Sequence, residues 1–298
     1  PWVSARRDGC PWFDRIKTTQ PTPAPTPTPT PTGKTVGMGM RTWQDADRAA
    51  YNILKPKVMR LSIREDGSRP WGGSDWIVFY GGLGGPKSCN VLWDFPPGPL
   101  PSRAQQDQFI QTIIARKDLV LNAEIGNELS YGWRQSRDTG SAEFVQYAKD
   151  YAEMVVYIAA KLAPHGVGTL CFNDDGFSES SSWTDSLFAQ RPNIHKEPGV
   201  IGATVHAYPR DDPKARVGRV IDWNAKHGAR DWKLYITECG VSRTDAGTEM
   251  ERAALQTQHI KELLAIPQVA QALIYQSVDQ APMSEPADWE KHHGVLDV

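Results

Sequence analysis

The stretch from 119 to 173 reads LVLNAEI (119–125), then SAEFVQYAKDYAEMVVYIAAKL (141–162), then GTLCFN (168–173). The first and third segments are short and apolar, as buried strands are. The middle segment is amphipathic, with apolar residues three and four positions apart, which predicts a helix. A strand, a helix and a second strand in this order predict two parallel strands joined by a crossover helix.

The same alternation continues through the rest of the chain after residue 34. Eight such units in this length match an α/β fold of the (β/α)8 (TIM) barrel type, which we expect to form a single domain over 34–298. The predicted strands are Thr35–Met40, Lys57–Ile63, Cys89–Phe95, Leu119–Ile125, Gly168–Asn173, Val200–His206, Lys233–Thr237 and Gln271–Gln276. The clearest predicted helices are Gln44–Leu54, Ser102–Arg116, Ser141–Leu162, Ala215–His227 and Glu249–Leu264.

No helical pattern follows the last predicted strand, which is where the eighth helix of the barrel would normally lie. Near the other end, Trp12, Phe13 and Ile16 would share one side of a short helix. We therefore expect a circularly permuted barrel in which residues 1–20 supply the eighth helix. Residues 21–33 begin PTPAPTPTPTPT, which is extended and cannot form a helix or a central strand, so they form a linker. The alternative is a leader that packs nowhere.

Composition excludes several classes of function. The formal net charge is −2, from 33 Lys+Arg and 35 Asp+Glu, so we expect no nucleic-acid partner. No apolar run approaches the roughly 18 residues of a membrane span, so we expect no membrane partner. The 4 Cys are far apart, which excludes a zinc module or a disulfide scaffold, although one bridge remains open. We predict no metal and no cofactor, and a monomer.

Carboxylates end two of the predicted strands. The fourth strand runs on as NAEIGNE (122–128) and the seventh as LYITECG (234–240), which presents Glu128 and Glu238. Reacting groups of a TIM barrel lie at the carboxyl ends of its strands. Hydrolysis of a glycoside with retention of configuration requires two carboxyl groups about 5–5.5 Å apart. The two positions therefore predict a pair of catalytic glutamates.

The dipeptide Asn127-Glu128 at the fourth strand, with Glu238 at the seventh, resembles clan GH-A of the retaining glycoside hydrolases. The nearest motifs are those of family 39 and related exopolysaccharide and β-glycan hydrolases. The resemblance implies that Glu128 is the general acid/base, that Glu238 is the nucleophile and that Asn127 holds the sugar 2-hydroxyl. It also implies a polysaccharide or oligosaccharide substrate and, with the Pro/Thr linker, a secreted protein.

Three further residues match supporting positions of the clan. Arg60, in the second strand, would keep Glu238 ionised through its positive charge. His206 and Tyr208 are two residues apart at the end of the sixth strand and so face the same way. They resemble the strand-six aromatic pair, whose tyrosine donates to the nucleophile. The alternatives are a surface arginine and an ordinary core histidine.

Other substrate-binding candidates depend on residue type and position alone. Tryptophan rings in upper loops would stack on sugar rings, and amides at strand ends would bind hydroxyls, although packing and turn formation are alternatives. Glu124 either points into the barrel or forms a salt bridge, without a catalytic role. Cys239 is expected to be a small buried hydrophobe rather than a reactive thiol. These candidates are Trp93, Trp133, Asn173, Gln276 and Trp289.

The sequence thus predicts an endo-acting hydrolase of β-linked polysaccharides. An exo-acting β-glycosidase, of the β-xylosidase kind, is the first alternative. A non-catalytic carbohydrate-binding barrel is a second, although such a protein usually lacks one carboxylate. A metal-dependent hydrolase barrel would carry clustered His and Asp at strand ends, which this sequence does not show.

Overall fold

A computed structural model describes residues 33–40, 44–63, 75–95, 98–130, 141–174, 181–208, 212–242 and 248–275. Eight parallel strands follow one another in chain order and close into a barrel through the pairing of β1 with β8. The predicted (β/α)8 barrel is confirmed. The strands are β1 Thr35–Gly39, β2 Met59–Ile63, β3 Cys89–Trp93, β4 Val120–Ile125, β5 Gly168–Asp174, β6 Val200–His206, β7 Leu234–Cys239 and β8 Val269–Ile274.

Seven α-helices cover the strands in the part of the chain that the structure describes. Each strand end lies within two residues of its predicted position, and all five predicted helices are present. The predicted eighth helix in residues 1–20 and the linker up to residue 32 lie outside the described residues, so the permuted order stays a prediction. The helices are α1 Gln44–Leu54, α2 Asp75–Gly84, α3 Arg103–Ile114, α4 Ala142–Leu162, α5 Ser182–Gln190, α6 Pro213–Lys226 and α7 Glu249–Ala265.

The sequence did not indicate α2 and α5. The α2 sequence DWIVFYGGLG is apolar almost throughout and contains three glycines, so it has no polar face to reveal a helical period. The α5 sequence SWTDSLFAQ is short, with polar and apolar residues interspersed. Both helices form because their apolar residues pack on the barrel wall, among them Ile77, Tyr80 and Trp183, which are buried.

The interior of the barrel contains several buried polar side chains beneath its mouth. Asn90 of β3 and Gln271 of β8 belong to strands that are not neighbours, yet their side chains meet at 3.4 Å across the interior. Alternate residues point outward, so Val91 and Trp93 pack under the helices. The polar lining continues upward to Arg60 and Glu124, which carry the charges of the site. None of the described helices is both long enough and apolar enough to cross a membrane.

Candidate active site

Four strands bring charged and polar side chains together at the carboxyl end of the barrel. Glu238 is the penultimate residue of β7, and His206 is the last residue of β6. Arg60 lies within β2, and Glu128 follows β4 by three residues. Tyr208 comes two residues after β6. The structure thus assembles the two predicted glutamates and their three predicted supports in one place.

Glu238 is held by donors on both carboxylate oxygens. Arg60 Nη1 donates to Oε1 at 2.7 Å, and Tyr208 Oη donates to Oε2 at 2.6 Å. Burial alone would raise the pKa of Glu238, but the charges of His206 and Arg60 and the tyrosine hydrogen bond lower it from 4.5 to about 2. Glu238 is therefore a carboxylate at neutral pH, as a nucleophile must be.

Arg60 divides its guanidinium among three partners. Nε and Nη2 donate to the two oxygens of Glu124 at 2.7 and 2.9 Å, in the paired geometry that carboxylates favour. Nη1 reaches Glu238, and Nη2 also donates to Asn127 Oδ1 at 2.9 Å. Arg60 is 6% exposed, so the alternative of a surface arginine is wrong. Glu124 was expected either to point into the barrel or to form a salt bridge, and it forms the salt bridge with Arg60.

His206 lies between the two glutamates. Its Nδ1 is 2.8 Å from Glu128 Oε1 and 3.6 Å from Glu238 Oε2. Burial lowers the pKa of His206, but the charge of Glu238 and the hydrogen bond to Glu128 outweigh that effect and leave the pKa raised. His206 is a buried, hydrogen-bonded histidine, as the alternative expected, but its partners are the two carboxylates of the site rather than groups of the core.

The distance between the two glutamates suits a particular chemistry. One oxygen of Glu128 and one of Glu238 lie within 4.8 Å of each other. Carboxyl groups of retaining glycosidases are about 5–5.5 Å apart, whereas inverting enzymes keep about 6.5–9.5 Å for a water molecule. Glu128 is partly exposed at the mouth of the barrel, whereas Glu238 is buried and lies deeper.

A metal ion is the other use that these side chains could have. Within the described ranges, Glu128, His206 and Glu238 are the group whose ligand atoms lie close enough to share an ion. Arg60 already pairs with Glu238 at 2.7 Å and would repel a cation there. The raised pKa of His206 also means that a proton competes for its ring nitrogen. The donor set therefore fits acid–base chemistry better than metal binding.

The backbone that carries Glu128 has a left-handed conformation at two points. Gly126 has φ of +79°, and Glu128 itself has φ of +47°, which is uncommon for a residue with a side chain. Such strain concentrates at functional sites, where the surroundings enforce it. At Gly126 a Cβ would lie 2.6 Å from Leu129 Cδ1 and 3.2 Å from Phe95 Cζ. The turn that presents Glu128 therefore needs glycine at 126.

We expect Gly126→Ala to lower the free energy of unfolding by about 1–3 kcal/mol, since both the positive φ and the crowded Cβ are unfavourable. Urea denaturation measures the change. The control is Gly82→Ala in α2, where a Cβ meets nothing within 4 Å and the new side chain favours the helix. A Gly126 variant as stable as the Gly82 variant would contradict this account of the turn.

Two of the weaker candidates are placed away from the site. Trp93 is 4% exposed and stacks on Phe109 of α3, with ring centroids 4.5 Å apart, so its ring faces the helix layer rather than a sugar. Asn173 is fully buried: Thr184 donates to its Oδ1 at 2.9 Å, and its Nδ2 donates to Asn224 at 2.8 Å. Both predictions of sugar binding are wrong, because each side chain points outward from its strand.

The remaining candidates, Trp133, Gln276 and Trp289, lie outside the described residues. Cys239 is buried, and burial followed by the charge of Glu238 raises the pKa of its thiol to about 12, as expected of an unreactive cysteine. Cys89 and Cys171 are also free and buried. Sequence reasoning missed Tyr151 in α4, whose hydroxyl donates to Ile125 O at 2.6 Å just before the Glu128 turn. The one signal that could have found it is the position of a tyrosine on an apolar helix face.

No protein-family model matches this chain, and no curated protein matches it. Several solved structures do match. A family 39 glycoside hydrolase from Bacteroides cellulosilyticus superposes with a TM-score of 0.59 at 12% identity, covering 88% of this chain and 60% of that one. A glucosidase from Croceicoccus marinus gives 0.57 at 13% identity, covering 89% and 63%. A plant β-glucan endohydrolase gives 0.56 at 13% identity, covering 88% and 96%.

This chain shares the barrel fold of these glycoside hydrolases. It spans less than two thirds of the length of the first two matched chains, at 60% and 63%. At such low identity the likeness shows the fold alone.

Proposed function

We propose that the chain is a retaining glycoside hydrolase of the clan GH-A type that cleaves β-linked glycans by double displacement. The observation that carries the proposal is the pair Glu128 and Glu238, with oxygens within 4.8 Å at the mouth of the barrel. Hydrogen bonds from Arg60 and Tyr208 help to keep Glu238 ionised. The strand positions of the two glutamates and the distance between them point to the same mechanism independently.

In the first step, Glu238 attacks the anomeric carbon while Glu128 donates its proton to the departing glycosidic oxygen. The products are a glycosyl ester on Glu238 and a free alcohol. In the second step, Glu128 takes a proton from water, the resulting hydroxide attacks the anomeric carbon, and Glu238 leaves as a carboxylate. Two inversions give net retention.

The supporting residues have separate tasks in this scheme. Arg60 and Tyr208 stabilise the negative charge of Glu238 before attack and after its release. The oxygen of Asn127 accepts from Arg60, which orients the amide so that Nδ2 is the group available to the sugar 2-hydroxyl. A contact to that hydroxyl strengthens as the oxocarbenium-like transition state forms.

Our proposal for the substrate is an endo-cleaved β-linked polysaccharide, handled by a secreted monomer. Support comes from the plant β-glucan endohydrolase, of whose chain 96% is covered by this barrel. An exo-acting β-glycosidase uses the same two glutamates, and the matched glucosidase supports that second possibility. A non-catalytic sugar-binding barrel has no use for a strained acid/base turn and an ionised nucleophile.

The test is a panel of soluble β-glucans, xylan and mannan together with 4-nitrophenyl β-glycosides. We expect hydrolysis of at least one β-linked member, and proton NMR of the first product should show the β-anomer before mutarotation. Product sizes separate internal from terminal cleavage. An α-anomer as the first product would contradict the retaining mechanism. Binding of a panel member without any hydrolysis would favour the non-catalytic barrel.

A further inference from the structure

Helix α7 presents two polar side chains to the backbone around the site. Gln256 and His259 are three residues apart and therefore share a face of the helix. Gln256 Oε1 accepts from the backbone N–H of Val241 at 2.8 Å, just beyond β7. His259 Nε2 lies 2.8 Å from the carbonyl oxygen of Ala207, just beyond β6. One helix thus contacts both of the segments that follow the catalytic strands.

Ala207 is the residue between His206, the last residue of β6, and Tyr208, and both of these side chains contact the glutamates. Its N–H donates to the backbone oxygen of Glu238 at 2.8 Å, and its C=O faces His259. The pairing of β6 with β7 is irregular at this point, with a register shift between Val205 and His206. The neighbouring strand therefore holds Ala207 through its N–H, and the bond from His259 adds a second anchor at its carbonyl oxygen.

The chemistry of His259 fits a permanent donor. The side chain is 5% exposed. Burial lowers its pKa, although the Ala207 carbonyl and the charge of Glu262 act in the opposite direction, so the ring is neutral at pH 7. A carbonyl can only accept, which requires the proton on Nε2. The neutral ring is thereby fixed in one tautomer.

We propose that His259 is a positioning residue for the glycosidase site. Through the Ala207 carbonyl it holds His206 at hydrogen-bond distance from Glu128 and Tyr208 at hydrogen-bond distance from Glu238. Gln256 holds the segment after β7 by accepting a hydrogen bond from the N–H of Val241. The proposal rests on the proposed function, because it assigns the residue a part in that reaction.

The test compares His259→Leu, His259→Gln and a control, Gln258→Leu, on the exposed side of the same helix. The probe is the 4-nitrophenyl β-glycoside that the wild type hydrolyses fastest. Leucine removes the donor, and we expect kcat to fall about tenfold, the effect of roughly one hydrogen bond, with KM changed less than twofold. Glutamine keeps an N–H within reach, and we expect it to restore at least half of the lost kcat. The control should match the wild type.

A pH profile separates positioning from mere stability. The groups that face Glu238 are Arg60, His206, Tyr208 and, across the gap, Glu128. If Tyr208 and His206 move away, the ionised form of Glu238 loses support, so the acid limb of kcat/KM should move to higher pH in His259→Leu. Glutamine does not titrate, and its profile should match that of the wild type. A loss of thermal stability alone would leave the acid limb in place.

A second measurement does not require catalysis. In protein labelled with 15N-histidine, the ring signal of His206, identified with His206→Gln, reports its titration. We expect its pKa to fall in His259→Leu and to be unchanged in His259→Gln and Gln258→Leu. Unchanged titration and an unchanged acid limb in His259→Leu would overturn the positioning role. A wild type that hydrolyses nothing would instead contradict the proposed function, and the NMR result would still decide whether His259 orders the site.

Discussion

Glu238→Gln should lower kcat/KM by roughly four orders of magnitude or more, since the variant lacks the carboxylate that forms the covalent intermediate. Glutamine is close in size: its single oxygen can accept from Arg60, and its NH2 can donate to the Tyr208 hydroxyl oxygen, so we expect the fold and sugar binding to survive. Hydrolysis of a 4-nitrophenyl β-glycoside measures the first quantity, and calorimetric titration with the product sugar measures the second.

A matched control is Glu197→Gln, before β6 at the opposite end of the barrel, which should keep wild-type activity. Azide provides a sharper test with Glu238→Ala. The anion fits the space that the side chain leaves and attacks the face opposite the leaving group, so the product should be the α-glycosyl azide. Wild-type activity in Glu238→Gln, or a β-azide from Glu238→Ala, would show that the nucleophile is another residue.

Arg60→Met should produce the largest loss of stability of any substitution in the site, about 3–5 kcal/mol in the free energy of unfolding at neutral pH. The reason is that a single buried cation forms ion pairs with both Glu124 and Glu238. Without it two carboxylates remain buried with no opposite charge from β2. The destabilisation should become smaller in acid, because Arg60 lowers the pKa of Glu238 and its loss lets Glu238 take up a proton more easily as the pH falls.

Urea denaturation of Arg60→Met at pH 7 and pH 4 measures this effect, with Arg219→Met on the exposed side of α6 as the control. The control should stay within about 0.5 kcal/mol of the wild type. Arg60→Lys keeps the charge but not the paired geometry, and we expect it to recover only part of the loss. Equal stability of Arg60→Met and the control would mean that the carboxylates are not dependent on Arg60.

The sequence predicted the features that depend on local patterns. Strand and helix positions follow from apolar periodicity, and Glu128 and Glu238 could be selected because a TIM barrel places its chemistry at strand ends. Arg60, His206 and Tyr208 could be selected because they resemble supporting positions of clan GH-A, and the apolar surroundings of Arg60 in its strand favoured a buried arginine over a surface one.

The errors share one physical cause. Trp93 and Asn173 lie at or near the carboxyl ends of their strands, as predicted. Because successive side chains of a strand point to opposite faces, both side chains lie on the outer face of the barrel, where Trp93 stacks on Phe109 and Asn173 accepts from Thr184. Deciding between the two faces requires the register of neighbouring strands, which the sequence of one strand does not contain. His259 was missed for a related reason: its partner is a backbone carbonyl, and backbone groups are the same at every position.

The low pKa of Glu238 affects the stability of the folded protein at acid pH. A carboxylate whose pKa is lower in the folded protein than in the unfolded chain adds stability above the unfolded value near 4.5, and that contribution disappears as the pH falls toward about 2. The readiness of this group to react and part of the stability of the folded protein near neutral pH thus come from the same contacts, and that part of the stability is lost in strong acid. A variant selected to work in stronger acid would have to strengthen the barrel elsewhere, since relaxing these contacts would weaken both properties together.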